Sequence, residues 1–274
     1  MSNFLYGAHV RANGIRQHYL RYGGADKRGG PPIILVPGIT SPAITWGFVA
    51  ETLGRHFDTY VVDVRGRGLS EASDDMDYSL EAYADDIQAL AQTLQLSSYS
   101  VLGHSMGARI GIRLASNRPA GLDRLVMVDP PVSGPGRRAY PSKLPWYTDS
   151  IAMAGKGCGA DDMRAYCPTW TQEQLQLRAE WLHTCNVKGI VTTFNNFHDE
   201  DVHKYLTDVR VPALLMIAGK GDVIRTEDEQ EMLTLLPGLQ ISRVPQAGHM
   251  IPWDDEAGFY QALGDFLGTS VAKA

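Results

Sequence analysis

Gly103-His104-Ser105-Met106-Gly107 sets a lone serine between two glycines, after an apolar run and before the helix-like Ala108-Arg109-Ile110-Gly111. That G-x-S-x-G spacing suits a sharp strand-to-helix turn. The serine backbone there is strained, and the glycines leave room for the neighbouring strand and helix. An ordinary Gly-Ser turn would fit the same five residues. A hydroxyl is a weak nucleophile until a base takes its proton, so a catalytic Ser105 predicts a base elsewhere. His249 lies in "RVPQAGHMIPWDD", after the last strand-like run, in a loop able to reach Ser105. Taken alone, it reads better as a surface loop histidine. A third group must accept the imidazole N–H and stabilise its charge. Asp129 ends "RLVMVD" and Asp222 ends "LLMIAGKGD"; both qualify, and the residues alone leave the choice open. The oxyanion of an attacked carbonyl needs two backbone donors. The Met106 N–H, directly after the serine, and the Ile39 N–H, in the loop after "IILV", are the candidates, with the Thr40 hydroxyl beside them.

These groups converge only if the chain forms a sheet with its loops at one edge. "HVRANGIRQHYLRYG" reads as two strands around an Asn13-Gly14 hairpin. "PPIILVPG" and "DTYVVDVRGRG" are apolar runs ended by Pro-Gly and by a Gly-rich loop, as buried parallel strands should be. A helix is predicted over 46–55. Another follows Ser79, a natural N-cap, with Leu80, Tyr83, Ile87, Leu90 and Leu94 on one face. "YSVLGHS" is a strand, 106–117 a helix, and "LDRLVMVDPP" a strand stopped by Pro130-Pro131. This alternation predicts a doubly wound, mostly parallel α/β sheet.

The alternation breaks after Pro131. Residues 132–208 contain no convincing strand, but hold helical stretches such as "TQEQLQLRAEWLHTC" and "VKGIVTTFNNF". They read as a helical cap inserted into one α/β core made of 1–131 and 209–274. The core resumes with "VPALLMIAGKGD", the helix "TEDEQEMLTLL", the strand "LQISRVP" and a last helix after Trp253. "DVRGRGLS" lacks the G-K-[ST] of a phosphate loop and reads as a structural turn tied by Asp63 and Arg65.

Pro37-Gly38 with Trp46 downstream, D-x-R-G-x-G-x-S at Asp63–Ser70, G-H-S-M-G and the late Ala247-Gly248-His249 together resemble the α/β-hydrolase superfamily over nearly the whole chain. The order Ser, Asp, His is that family's order. The family most often carries its acid where Asp222 stands, and some members carry it where Asp129 stands. Pro37 replaces the family's usual oxyanion-loop histidine, which a backbone donor tolerates. Within the superfamily, "DPPVSGPGRRAYPSKLPWY" and "CPTWTQEQLQLRAEWLHTC" resemble N-formylmaleamate deformylases of aerobic nicotinate breakdown. That resemblance implies a serine hydrolase splitting N-formylmaleamate into maleamate and formate, with Ser105 as nucleophile, His249 as base and Asp129 favoured as acid. It implies no cofactor. Rival readings are an enol-lactone or carbon–carbon bond hydrolase with the same triad, and a non-enzymatic ligand sensor of the same fold.

Such a substrate carries a carboxylate and calls for a cation. Arg109, four residues after Ser105, and Arg137, Arg138 and Lys143 in the insertion are candidates. Each reads first as a solvated or structural charge. Trp146, Tyr147, Trp170 and Trp181 are candidate pocket walls, or ordinary aromatic core. No His/Cys/Asp/Glu spacing suits a metal; His198 and His203, five apart, read as cap surface. With 274 residues, 44% hydrophobic and 20% charged, and a net charge of −6 without a basic cluster, the chain reads as globular and unsuited to nucleic acid. It shows neither a signal peptide nor a membrane span. Cys158, Cys167 and Cys185 fit reduced thiols of a cytoplasmic protein. The expected partner is therefore a small carboxylate-bearing molecule.

Overall fold

The computed structural model describes residues 2–272. Eight strands form one sheet: β1 (Phe4–Ala12), β2 (Ile15–Tyr22), β3 (Ile33–Val36), β4 (Thr59–Asp63), β5 (Tyr99–His104), β6 (Leu122–Val128), β7 (Ala213–Ala218) and β8 (Gln240–Val244). Their order is β1-β2-β4-β3-β5-β6-β7-β8. β1 and β2 form an antiparallel hairpin through Asn13 and Gly14, at φ 49° and 75°, and β2 pairs antiparallel with β4. Every other pairing is parallel. β3, β4, β5 and β7 are buried along their whole length, as strands covered on both faces must be.

The helices are α1 (Gly47–Leu53), α2 (Leu80–Thr93), α3 (Met106–Ser116), α4 (Leu144–Gly155), α5 (Ala160–Met163), α6 (Gln172–Trp181), α7 (Val187–Asp199), α8 (Thr226–Leu235), α9 (Ile251–Asp254) and α10 (Glu256–Leu267). The predicted helix over 46–55 is a 3-10 turn, Ala43–Trp46, running into α1. α2 starts as its N-cap predicts, with Ser79 Oγ accepting the Ala82 N–H at 3.2 Å, and it buries Leu80, Tyr83, Ile87 and Leu90. α3 packs on α2 and lies against β5 and β6.

The stretch between β6 and β7 holds α4 to α7 and two 3-10 turns, Leu182–Thr184 and Val202–Asp208, with no strand among the described residues. α6 begins with a reciprocal cap: Thr171 Oγ1 accepts the Gln174 N–H at 3.3 Å, and Gln174 Oε1 accepts the Thr171 N–H at 2.9 Å. α7 begins at Asn186, whose side chain accepts the Gly189 N–H at 2.8 Å, and packs on α4. α4 and α5 carry too weak a period to be read from sequence. α6 also touches the Ala43–Trp46 turn, which brings the insertion against the loop that follows β3. His203, expected on the cap surface, is buried beside Glu231. Among the described residues no helix is long and apolar enough to cross a membrane.

Candidate active site

β5 ends at His104 and α3 begins at Met106, so Ser105 alone makes the turn, at φ 54° and ψ −115°. A non-glycine residue with positive φ is strained, and such strain concentrates where function holds it. The flanking glycines are obligatory. A Cβ on Gly103 would stand 2.2 Å from the Gly107 carbonyl oxygen, and one on Gly107 would stand 1.9 Å from the Val36 oxygen. The motif is therefore a close crossing of strand and helix, not an ordinary turn.

His249 Nε2 lies 3.1 Å from Ser105 Oγ, and His249 Nδ1 lies 2.7 Å from Asp129 Oδ2. A carboxylate only accepts, so Nδ1 carries the ring proton and Nε2 faces the serine as a base. Asp129 is itself held at φ 46° just past β6 and is 1% exposed. Its other oxygen accepts the Ala218 N–H at 3.2 Å, from the end of neighbouring β7. Both oxygens are thus engaged by the fold.

Asp222, the other expected acid, does not join this chain. Its carboxylate pairs with Arg225 at 2.7 and 2.9 Å, three residues on and exposed to solvent. That pairing holds its pKa below the usual carboxylate range. The residue lines the cavity but makes no hydrogen bond to His249, whose Nδ1 is taken by Asp129.

Ser105 and His249 open into a cavity of about 460 Å³, lined also by Ile39, Thr40, Tyr140, Trp146, Tyr147, Trp170 and Arg178. That volume suits a small-molecule ligand. Met106 opens α3, where the backbone N–H has no intrahelical acceptor, and Ile39 lines the cavity from the loop after β3. Trp146 and Trp170, read as pocket or core, line the cavity, as Tyr147 does.

Arg109 does not. It is 2% exposed and donates to four backbone carbonyls: Pro131 at 2.8 Å, Ser133 at 3.1 Å, Asn196 at 3.2 Å and Glu200 at 2.6 Å. Burial lowers its pKa to about 10. The expectation that Arg109 meets substrate is corrected: α3 turns it away from the serine, into the seam between β6's end and α7. Arg137 pairs with Asp201 and Glu231, and Arg138 with Asp228, so both brace the insertion.

Three residues escaped the sequence reading. Tyr140 places its hydroxyl 3.2 Å from His249 Nε2, and burial pushes its pKa well above the usual phenol range. His104 is fully buried and donates from Nε2 to the His249 carbonyl at 2.9 Å; burial and the neighbouring His249 lower its pKa to about 3. Arg178 is 3% exposed yet lines the cavity. Its one sequence signal is its place beside Leu175 and Ala179, the other buried residues of α6. Among the described residues no group of three or more His, Cys, Asp or Glu side chains gathers as metal ligands would.

A strained serine at a strand-to-helix crossing, on a mostly parallel sheet and hydrogen-bonded to a late histidine, defines the hydrolase class of this fold. The model of the alpha/beta hydrolase family matches residues 33–262, and the chain belongs to that family. It is 64% identical to the N-formylmaleamate deformylase of Pseudomonas putida over 97% of this chain and 98% of that protein. It superposes on a solved serine-to-alanine variant of the N-formylmaleamic acid deformylase of Pseudomonas putida S16 with TM-score 0.89. That match has 53% identity and covers 94% of this chain and all of that one. An enol-lactonase from Burkholderia xenovorans LB400 shares the fold at TM-score 0.74 but only 20% identity, over 95% of this chain and 100% of the other.

Proposed function

We propose that this protein is a serine hydrolase that deformylates N-formylmaleamate, giving maleamate and formate. The chemistry is carried by the hydrogen-bonded chain Ser105–His249–Asp129 in the cavity. The choice of substrate is supported by the 64% identity to a deformylase of that name. His249 Nε2 takes the Ser105 proton as Oγ attacks the formyl carbon, the least hindered carbonyl. Asp129 holds the imidazole tautomer and stabilises its charge. The Ile39 and Met106 N–H groups receive the developing oxyanion. Collapse of the adduct breaks the C–N bond, and His249 returns the proton to the departing amide nitrogen. The second carbonyl on that nitrogen spreads its charge and eases departure. Water, deprotonated by His249, then cleaves the formyl ester and frees Ser105. Residues 132–208 act in this reading as a cap over a core of 1–131 and 209–274, and the enzyme works in the cytoplasm without a metal or organic cofactor. Three unpaired cysteines fit that compartment.

The test is formate release from N-formylmaleamate under multiple turnover, with an enol-lactone as control. Ser105→Ala should remain folded and lose on the order of 10⁴-fold or more in kcat. A folded variant keeping more than about a tenth of wild-type kcat would overturn the serine mechanism. Binding without turnover would instead favour a sensor, and faster lactone cleavage the rival hydrolase.

A further inference from the structure

We propose that Arg178 is the anchor for a carboxylate on the substrate, so that this site selects small acyl compounds bearing an anion away from the reacting carbonyl. The inference rests on the reading of Ser105, His249 and Asp129 as an acyl-transfer site, and names what that site takes.

Arg178 is the one arginine or lysine among the described residues lining the cavity. It projects from the buried face of α6 and is 3% exposed. Its hydrogen bonds within the protein go to Thr40 alone: Nη1 to the carbonyl at 3.3 Å and Nη2 to Oγ1 at 3.4 Å, both at the long end of the range. Its Nε is buried and has no partner. A buried cation is expensive unless it is paired and its donors are met, and no carboxylate among the described residues pairs with this one. The two anions on the cavity wall are already engaged. Asp222 pairs with Arg225, and Asp254 accepts from Thr169 Oγ1 at 2.8 Å and from the Gly248 N–H at 3.0 Å. The cavity therefore offers a cation with unmet donors, whereas both of its carboxylates already accept hydrogen bonds.

The geometry suits a carboxylate more than another anion-bearing group. The guanidinium sits against Trp146 and Trp170, 5.2 and 5.8 Å from their ring centres. Trp170 is itself stacked on Trp253 at 4.9 Å and 11°. Aromatic faces hold the planar fork in orientation and partly offset its burial. With Nε free and Nη2 weakly engaged, one edge of the fork is left to receive the two oxygens of a carboxylate side by side. Thr40 follows Ile39, so a carboxylate held there lies beside the oxyanion loop, in the same cavity as Ser105. A linear monoacid amide could then span from Arg178 to the serine.

The test uses the full-length protein and two independent readouts. The first is calorimetric binding of maleamate, maleate and the neutral diamide maleamide. Wild type should bind maleamate roughly 10²-fold more tightly than maleamide, and Arg178→Gln should erase that difference. Arg178→Lys, which keeps charge but loses the fork, should fall between. The second is kinetic: in Arg178→Gln the KM for N-formylmaleamate should rise by about the same factor while kcat falls much less. Equal binding of maleamate and maleamide by wild type overturns the proposal without any variant, as does undiminished maleamate binding by a folded Arg178→Gln. Arg178-dependent maleamate binding without turnover of N-formylmaleamate would keep the anchor and sink the deformylase reading. Turnover that ignores Arg178 would do the reverse.

Discussion

Both the α3 layer and the inserted helices bury an arginine, and they treat it oppositely. Arg109, one turn after Ser105, spends its donors on four backbone carbonyls. Arg178, on α6, hydrogen-bonds only to Thr40 and leaves Nε without a partner. The triad side chains resemble Arg109 in this respect. At the edge, Asp129 has both oxygens met and His249 has both nitrogens met. A group completed by the protein holds geometry fixed for whatever substrate arrives. A buried group left incomplete waits for a ligand to complete it. On the reading proposed above, Ser105, His249 and Asp129 carry the reaction and Arg178 the choice of what reacts.

The largest effect should come from the core. Asp129→Asn keeps the shape but presents an N–H where the imidazole N–H must be accepted, so kcat should fall roughly 10⁴-fold. Asp222→Asn removes an exposed pairing with Arg225 and should leave kcat and KM within a factor of a few. Both are measured by formate release, with circular dichroism to confirm folding. A large loss in Asp222→Asn and a small one in Asp129→Asn would invert the assignment and with it the contrast between completed and incomplete groups.

The division also explains what could be read from the chain. The elbow was legible because a strand and a helix crossing within van der Waals reach demand glycine at 103 and 107, and backbone demands leave a local mark in sequence. The parallel strands were legible as uninterrupted apolar runs. Asp129 against Asp222 was not, since both follow an apolar strand; only the loop after each strand sets where the carboxylate ends up. Arg178, Tyr140 and His104 were not legible either. Their surroundings are assembled from segments far apart: Arg178 meets Thr40 across 138 positions, and Tyr140 meets His249 across 109. Arg109 was misread for the complementary reason. Nearness in sequence to Ser105 says nothing of which side of α3 a residue occupies, and Arg109 faces carbonyls of Pro131, Ser133, Asn196 and Glu200.

The two arginines should also part in their effects on stability and binding. Arg109→Met should leave buried carbonyls unmet and cost about 3 kcal/mol or more of stability, which lowers Tm by roughly 6–10 °C for a chain of this size. The surviving folded enzyme should bind maleamate with near-native affinity. Arg178→Gln should do the opposite: little change in Tm, and a large change in Kd. Thermal melts and calorimetry on both variants read this directly. A native Tm with weakened maleamate binding in Arg109→Met would make Arg109 a ligand contact after all.

The smallest expected effect tests the support beneath the base. His104 is buried between Trp46 and Trp253, 5.4 and 6.3 Å from their rings, with Nδ1 unpartnered and Nε2 donating to the His249 carbonyl. Burial and the neighbouring imidazole lower its pKa from 6.5 to about 3. The folded protein therefore holds His104 neutral while the unfolded chain protonates it near 6.5. The resulting stability is full above that value and is lost as pH falls from about 6.5 toward 3. His104→Gln keeps a donor for the His249 carbonyl but does not titrate. Wild type should consequently lose roughly 2 kcal/mol more than the variant between pH 6.5 and 4.5, read from urea unfolding at each pH. Carboxylates and the buried His203 titrate in both proteins, so they cancel in the difference. Parallel stability curves would mean that His104 accepts a proton without cost in the fold. The imidazole above it would then rest on a softer platform than the completed sheet edge implies.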